Sequence, residues 1–273
     1  MPASVQAVLL GIVQGLTEFL PVSSTAHLIL ARAFFGFDGD KFGLSFDVAC
    51  HIGTLLAVVV YFRAEIARMI RALPLALRIA DRGLRNDDAR MIWLLVVGTV
   101  PAVVAGLLFK KQIEEHLRTV PVAAIALAVG GICFFAAERI AKHDRPERSL
   151  TLTEAFWIGC AQALALVPGV SRSGATIVAA LVIGLRRADA ARFIFLLSIP
   201  AILGAAASEA PKMLKAGLGG DLAMLFAIGI VSSAIVGYAA VRFFIRYLGN
   251  HSLDVFAGYR LALAAVAGVW LLR

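Results

Sequence analysis

Charge is what this chain has least of. Only 16% of its 273 residues are charged and 18 are acidic, against about 25% charged in an ordinary soluble domain, so a soluble globular protein is excluded. Cysteine is nearly as scarce. Cys50, Cys133 and Cys160 each stand alone in an apolar run, with no CxxC spacing and no histidine partners, which excludes a cysteine metal site and leaves them as small packing residues. No basic segment precedes the first apolar run, and that run carries Gln14 and Glu18. A cleavable signal peptide is therefore not expected, and the amino terminus should remain in the mature protein. Lysine and arginine total 26, for a net charge of +8, yet they sit between apolar spans rather than in a basic patch, so nucleic acid is excluded as a partner.

Apolar residues, in contrast, make up 60% of the chain, with a mean hydropathy of +0.87. That composition defines an all-α polytopic membrane protein. A spanning helix needs ~20 apolar residues, and six segments qualify or nearly so: 45–62, 91–109, 120–138, 190–208, 222–245 and 253–272. Two further regions, 3–36 and 153–186, are each long enough for two half-helices, broken at Pro21 and at Pro168-Gly169. These read as re-entrant helical hairpins, since irregular backbone at membrane depth is tolerated only where protein buries it or where it lines a cavity.

The two broken regions repeat one another. Gly11, Gln14, Leu16, Ser23 and Thr25 recur 148 positions later as Gly159, Gln162, Leu164, Ser171 and Ser173, and Pro21 recurs at 147 as Pro168. A weaker echo pairs Val97–Gly106 with Ile228–Gly237 at an offset of 131, the smaller offset reflecting a shorter connection in the second half. The basic residues set the orientation. Arg63, Arg68, Arg71, Arg78, Arg82, Arg85 and Arg90, then Arg139, Lys142, Arg145 and Arg148, and further Arg186, Arg187, Arg192, Arg242 and Arg246 fall on one side, taken as cytoplasmic. They outnumber Arg32, Lys41, Lys110, Lys111, Arg118, Lys212, Lys215 and Arg273 on the other. With six spans and two hairpins, both termini are then external and the hairpins enter from opposite faces. The expectation is a single membrane domain over 1–273 with inverted-topology repeats of about 1–138 and 150–273.

Paired breaks of this kind point to a site at the membrane midplane, and ionisable residues at that depth are functional by default. In P-G-V-S-R-S-G-A-T, Pro168 ends one half-helix, Gly169 frees the backbone, and the next helix starts near Ser171 with unpaired N–H groups facing the loop. Arg172 adds a planar fork for phosphate, and Ser171, Ser173 and Thr176 add hydroxyls, so the segment reads as an anion site. Arg172 lies too far from either hairpin end to reach the interface. In the first break, Gln14 and Glu18 share a helix face. Glu18 is suited to hold a divalent cation, act as a base, or pair with Arg172. Beyond Pro21, Ser23, Ser24 and Thr25 supply hydroxyls, and His27 follows Ser24 by three residues, the minimum for an activated nucleophile. Asp47 and His51 are expected to shape an entrance, and Arg260 to contact phosphate or lipid. Glu138, Glu154 and Asp254 are expected to be interfacial, and the 63–90 charges to be topogenic.

Q-G-L-T-E-F-L-P-V-S-S-T-A-H and P-G-V-S-R-S-G-A-T resemble the two signature segments of the undecaprenyl-diphosphate phosphatases, the bacitracin-resistance membrane family. F-L-L-S-I-P (Phe195 to Pro200) and A-G-Y-R (Ala257 to Arg260) extend the resemblance along the chain. It implies inverted repeats with two re-entrant hairpins and hydrolysis of undecaprenyl diphosphate to undecaprenyl phosphate and inorganic phosphate. The implied place is the outer face of a bacterial inner membrane, where the reaction recycles the carrier for peptidoglycan and confers bacitracin resistance. By similarity, Glu18, Ser24, His27, Ser171, Arg172, Ser173 and Thr176 occupy functional positions. The family often has Glu where this chain has Gln14, so an implied Mg2+ or Ca2+ would rest mainly on Glu18, with Gln14 beside it. Ser24 is the favoured nucleophile, assisted by His27, with a water activated by His27 or His27 itself as the alternatives, and Gln14, Ser23, Thr25, Gly169, Ser171, Ser173, Thr176 and Arg260 stand around the diphosphate. Membrane lipids and, by analogy, a second copy in a homodimer are the expected partners. The rival from another class is a lipid-phosphate carrier using the same anion site.

Overall fold

The computed structural model describes residues 1–37, 42–77, 86–216 and 219–272, with the side chains of Lys110, Glu114 and 212–216 excepted. Lys41, Arg78, Arg82, Arg85 and Arg273, and the side chains of Lys110, Lys212 and Lys215, lie outside the described residues. The chain runs through α1 (Ala3–Phe19), α2 (Ser24–Phe35), α3 (Leu44–Tyr61), α4 (Arg63–Ala76), α5 (Asp87–Gln112) and α6 (Val120–Ile140). It continues through α7 (Leu152–Leu164), α8 (Arg172–Val182), α9 (Arg187–Ala216), α10 (Gly220–Leu248) and α11 (Asp254–Leu271). Among the described residues, α3, α5, α6, α9, α10 and α11 are long and apolar enough to cross a membrane, matching the six expected spans and defining a multi-pass membrane protein. Helices dominate because, in lipid, only a helix or a closed barrel satisfies every backbone group internally.

Each of the two breaks contains a proline. Leu20, ahead of Pro21, is extended at φ −67° and ψ 139°, as the ring of a following proline demands, and α2 restarts at Ser24. In the second half α7 ends at Leu164, turns carry the chain past Pro168, and α8 starts at Arg172. The 63–90 segment differs from expectation. Its first half is the helix α4, which carries Pro74 near its end but is otherwise built from Ala, Arg, Leu, Ile, Met and Glu, strong helix formers for the most part. Arg63, Arg68 and Arg71 are therefore carried on an ordered helix rather than on a loop.

Small residues set the packing. A Cβ on Gly11 of α1 would lie 2.9 Å from the Gly229 carbonyl oxygen of α10, and a Cβ on Gly159 of α7 would lie 2.4 Å from that of Gly98 in α5. Gly11 and Gly159 correspond at the 148-residue offset, and Gly98 and Gly229 at the 131-residue offset. Both sequence echoes thus mark one contact made twice, in which the first helix of each broken pair lies against a span of the other half with backbones nearly touching. The core joins both halves, with Phe19, Val58, Ile177, Phe193, Val241 and Phe256 in one cluster and the Phe19 and Phe195 rings edge-on at 5.3 Å. At one end of the bundle, Glu138 accepts from Arg187 Nε at 3.0 Å and from the Leu253 amide at 2.8 Å. Glu154 pairs with Arg145 at 2.7 Å, and Asp254 with Arg139 at 3.3 Å. These three carboxylates tie helix ends together rather than merely facing the interface.

Candidate active site

Both broken pairs restart on a serine in an unusual backbone conformation. Ser23 and Ser171, at corresponding positions, have φ of 71° and 74°, a region that costs a non-glycine residue about 1–3 kcal/mol and clusters at functional sites. Each caps the helix that follows. Ser23 Oγ accepts from the Ala26 amide at 3.4 Å and Ser171 Oγ from the Gly174 amide at 3.1 Å. Gly169 makes the second turn possible, with φ at 97° and the Ala123 carbonyl where a Cβ would stand. The free N–H groups and positive ends of α2 and α8 therefore open onto the broken loops.

Glu18 joins the two loops and is 6% exposed. Its Oε2 accepts from Ser24 Oγ at 2.7 Å and from Gln14 Nε2 at 2.8 Å, with His51 Nε2 3.3 Å away. Its Oε1 is paired with Arg172 Nη2. Arg172 Nη1 donates to the Ser198 carbonyl at 3.3 Å, and Ser173 Oγ reaches the carbonyls of Glu18 and Leu20, each at 3.3 Å. One buried carboxylate thus holds a serine hydroxyl and a guanidinium in place at once. Of the three roles open to Glu18, the ion pair with Arg172 is present, and the bond from Ser24 is the geometry that a base requires.

Several expected residues stand differently. His27 makes its hydrogen bonds to groups other than Ser24. Its Nδ1 lies 2.8 Å from the Ser23 carbonyl, which can only accept, so Nδ1 carries the proton. Its Nε2 meets the Tyr259 hydroxyl at 2.7 Å, and the two rings stack. The helix restart at Ser23 turns His27 to the α11 side, and Glu18 takes the place beside Ser24. His51, expected at an entrance, instead reaches Glu18, held by its own Nδ1 donating to the Asp47 carbonyl at 2.7 Å. Asp47 accepts from both Arg32 and Arg118, tying the start of α3 to α2 and to the chain ahead of α6. The i, i+4 spacing of Asp47 and His51 on an apolar helix was the available signal for His51. Thr176 Oγ1 donates to the Arg172 carbonyl at 2.7 Å, and Thr25 is half-buried in the first turn of α2. Arg260 is fully buried and its guanidinium ends on backbone carbonyls, which removes it from the phosphate or lipid contact expected of it.

The donors present do not form a cage for a divalent cation. Gln14 faces Glu18 with its amide N–H rather than its oxygen, Arg172 already sits on the other carboxylate oxygen, and no group of three His, Cys, Asp or Glu converges among the described residues. Hard cations need several oxygen ligands. What the arrangement offers is a hydroxyl on a base, a guanidinium and helix N-termini, a set suited to attack on a phosphate.

A multi-pass helical membrane protein that sets a buried serine and carboxylate and a half-buried arginine between two helix N-termini belongs to the class built to handle phosphate-like anions inside the bilayer. Comparison with known proteins makes the class specific. The chain belongs to the family described as bacitracin resistance protein BacA, whose profile matches residues 7–266. It is 50% identical over 267 residues to an undecaprenyl-diphosphatase of Rubrobacter xylanophilus, covering 98% of each chain. An undecaprenyl-diphosphatase of Alcanivorax borkumensis is 44% identical over 97% of this chain and 98% of its own, and one of Moorella thermoacetica is 41% identical over 98% of both.

Proposed function

We propose that this protein hydrolyses undecaprenyl diphosphate to undecaprenyl phosphate and inorganic phosphate. The observation that carries the reading is the 2.7 Å bond from Ser24 Oγ to Glu18 Oε2, with Arg172 on the other oxygen. The relatives' names supply the substrate.

The terminal phosphoryl group binds Arg172 and the N–H groups of α2 and α8, with Ser171 and Ser173 nearby. Moving Arg172 from Glu18 to phosphate leaves the carboxylate bonded to Ser24 and Gln14, with the serine hydroxyl still held on Oε2. Ser24 Oγ attacks the terminal phosphorus in line while its proton passes to Glu18. The bridging P–O bond breaks, and undecaprenyl phosphate leaves with that proton. Glu18 then takes a proton from water, the water oxygen attacks phosphoserine, and Ser24 recovers its hydroxyl proton as inorganic phosphate departs. His27 contributes by holding the Ser23 carbonyl, and His51 by holding Glu18. The expected Mg2+ or Ca2+ is not supported by the donor set, so no step depends on it.

The same reading includes re-entrant hairpins at 3–36 and 153–186 in one membrane domain of inverted repeats, supported by the matched breaks and the matched glycine contacts. It places the site toward the outer face of a bacterial inner membrane, in line with the basic-residue bias, and keeps the homodimer by analogy with the family. A lipid-phosphate carrier would use the anion-binding residues but has no need of a serine bonded to a buried carboxylate. The test is phosphate release from undecaprenyl diphosphate by purified wild type and Arg172→Ala, with and without EDTA. Turnover in wild type, lost in the variant, is expected. A folded wild type without turnover would shift the reading to the carrier, and EDTA-sensitive turnover would restore the cation.

A further inference from the structure

Arg260 lies on α11 within the apolar part of the bundle and is 0% exposed. No acidic side chain pairs with it among the described residues. Its donors meet carbonyls instead. Nη1 reaches Pro21 O at 3.2 Å; Nη2 reaches Gly169 O at 3.0 Å, Val170 O at 3.2 Å and Ala126 O at 3.0 Å; and Nε reaches Leu127 O at 3.2 Å. The face of the Phe134 ring lies 5.2 Å from Cζ.

The choice of carbonyls is informative. Pro21 belongs to the first break, three residues before Ser24, and Gly169 and Val170 belong to the second, just before Ser171 and Arg172. Carbonyls released by a broken helix have no water to turn to at this depth, and arginine is the side chain whose planar fork of five N–H groups can serve both breaks together. The space is made for it. A Cβ on Gly130 would lie 2.0 Å from Nη2 and 2.6 Å from Cζ, so residue 130 has no side chain where the guanidinium sits.

We propose that Arg260, seated against Gly130, is the positioning residue that fixes Ser24 and Glu18 of one loop against Arg172 of the other, and that it does so from behind the site without touching substrate. The proposal rests on the phosphatase reading for its kinetic test but not for its structural one. Loss of the clamp misplaces nucleophile relative to phosphate, which lowers kcat while substrate binding through Arg172 and the helix N-termini persists.

Arg260→Lys keeps the charge but loses the fork, and Gly130→Ala keeps the arginine but takes its space. Both are compared with wild type for kcat and KM on undecaprenyl diphosphate, and for monodispersity in detergent. A fall in kcat of about 10²-fold with KM within about twofold is expected of both. A raised KM at unchanged kcat would make Arg260 a substrate ligand and overturn the proposal, as would wild-type kcat in Gly130→Ala. Failure of both variants to fold would reduce Arg260 to a general structural role and overturn it too.

A second readout ignores turnover. Spin labels at Leu16→Cys and Leu164→Cys, both exposed positions on the paired helices, are placed in a background of Cys133→Ala and Cys160→Ala, and the distance between them is measured. The distribution should broaden or shift in Arg260→Lys and Gly130→Ala. An unchanged distribution overturns the clamp, whereas a changed distribution in a protein whose wild type releases no phosphate overturns the phosphatase reading alone.

Discussion

Replacing Glu18 with glutamine removes the base beside Ser24 and changes little else in volume. Glu18 Oε2 is the acceptor of the Ser24 hydroxyl at 2.7 Å, and the nitrogens of His27, the partner expected from spacing, are directed to the Ser23 carbonyl and the Tyr259 hydroxyl. Loss of a positioned general base costs about 10²–10⁴-fold in rate, or about 3–5 kcal/mol of transition-state stabilisation at ~1.4 kcal/mol per tenfold. Arg172, freed of its partner, remains to bind phosphate, so KM should stay level or fall. The assay is steady-state phosphate release at saturating undecaprenyl diphosphate for Glu18→Gln, Ser24→Ala and the double variant. Because nucleophile and base act as one unit, the double variant should lose no more than Ser24→Ala alone. Losses that multiply, or a Glu18→Gln protein within tenfold of wild type, would refute the assignment.

The glycine contacts predict that Gly159→Ala, which drives a Cβ to 2.4 Å from the Gly98 carbonyl, costs about 1–3 kcal/mol by overpacking. This would be read as a lower thermal midpoint in detergent, and an unchanged midpoint would contradict that packing. Glu147, between α6 and α7, gives a pH dependence. Burial first, then the neighbouring Asp189 and Glu65, lift its carboxyl to about 7 against the opposing pull of Arg192. The folded protein therefore binds this proton more tightly than the unfolded chain. The stability it contributes is full below about pH 4 and is lost as pH rises through about 7, a loss of about 3 kcal/mol. Glu147→Gln should accordingly raise the midpoint at about pH 8.5 and leave it nearly unchanged at about pH 4.5. A gain equal at both would show that Glu147 does not titrate in this range. His51→Leu, which removes the group 3.3 Å from Glu18, should lower kcat by less than Glu18→Gln does. The reverse order would make His51 rather than Glu18 the base.

The spans were legible because a bilayer fixes their length, and the breaks because Pro21 and Pro168-Gly169 each sit in a repeated polar cluster, unlike Pro101 and Pro200, which lie within continuous helices. Gln14 and Glu18 came from helical spacing alone, and they are hydrogen-bonded as the spacing implies. Local spacing misled where the chain bends. Ser24 and His27 are three apart, yet Ser24 bonds six residues back across the break to Glu18, because the backbone at Ser23 redirects the new helix. The spacing of Asp47 and His51 marked His51, but its approach to Glu18 is a tertiary contact from a different helix that spacing does not reveal. Arg260 was read from its charge, whereas its partners are backbone carbonyls, which side-chain patterning does not reveal. The order of 63–76 was hidden by its arginines, which look like a loop until their helix-forming neighbours are weighed.

The central claim is that Ser24, activated by Glu18, opens the diphosphate. It is tested most directly by phosphate release from undecaprenyl diphosphate with purified wild type and Ser24→Ala, both shown to be folded. The account predicts turnover in wild type and a loss of about 10³-fold or more in the variant. A Ser24→Ala protein that keeps most of its turnover would contradict it.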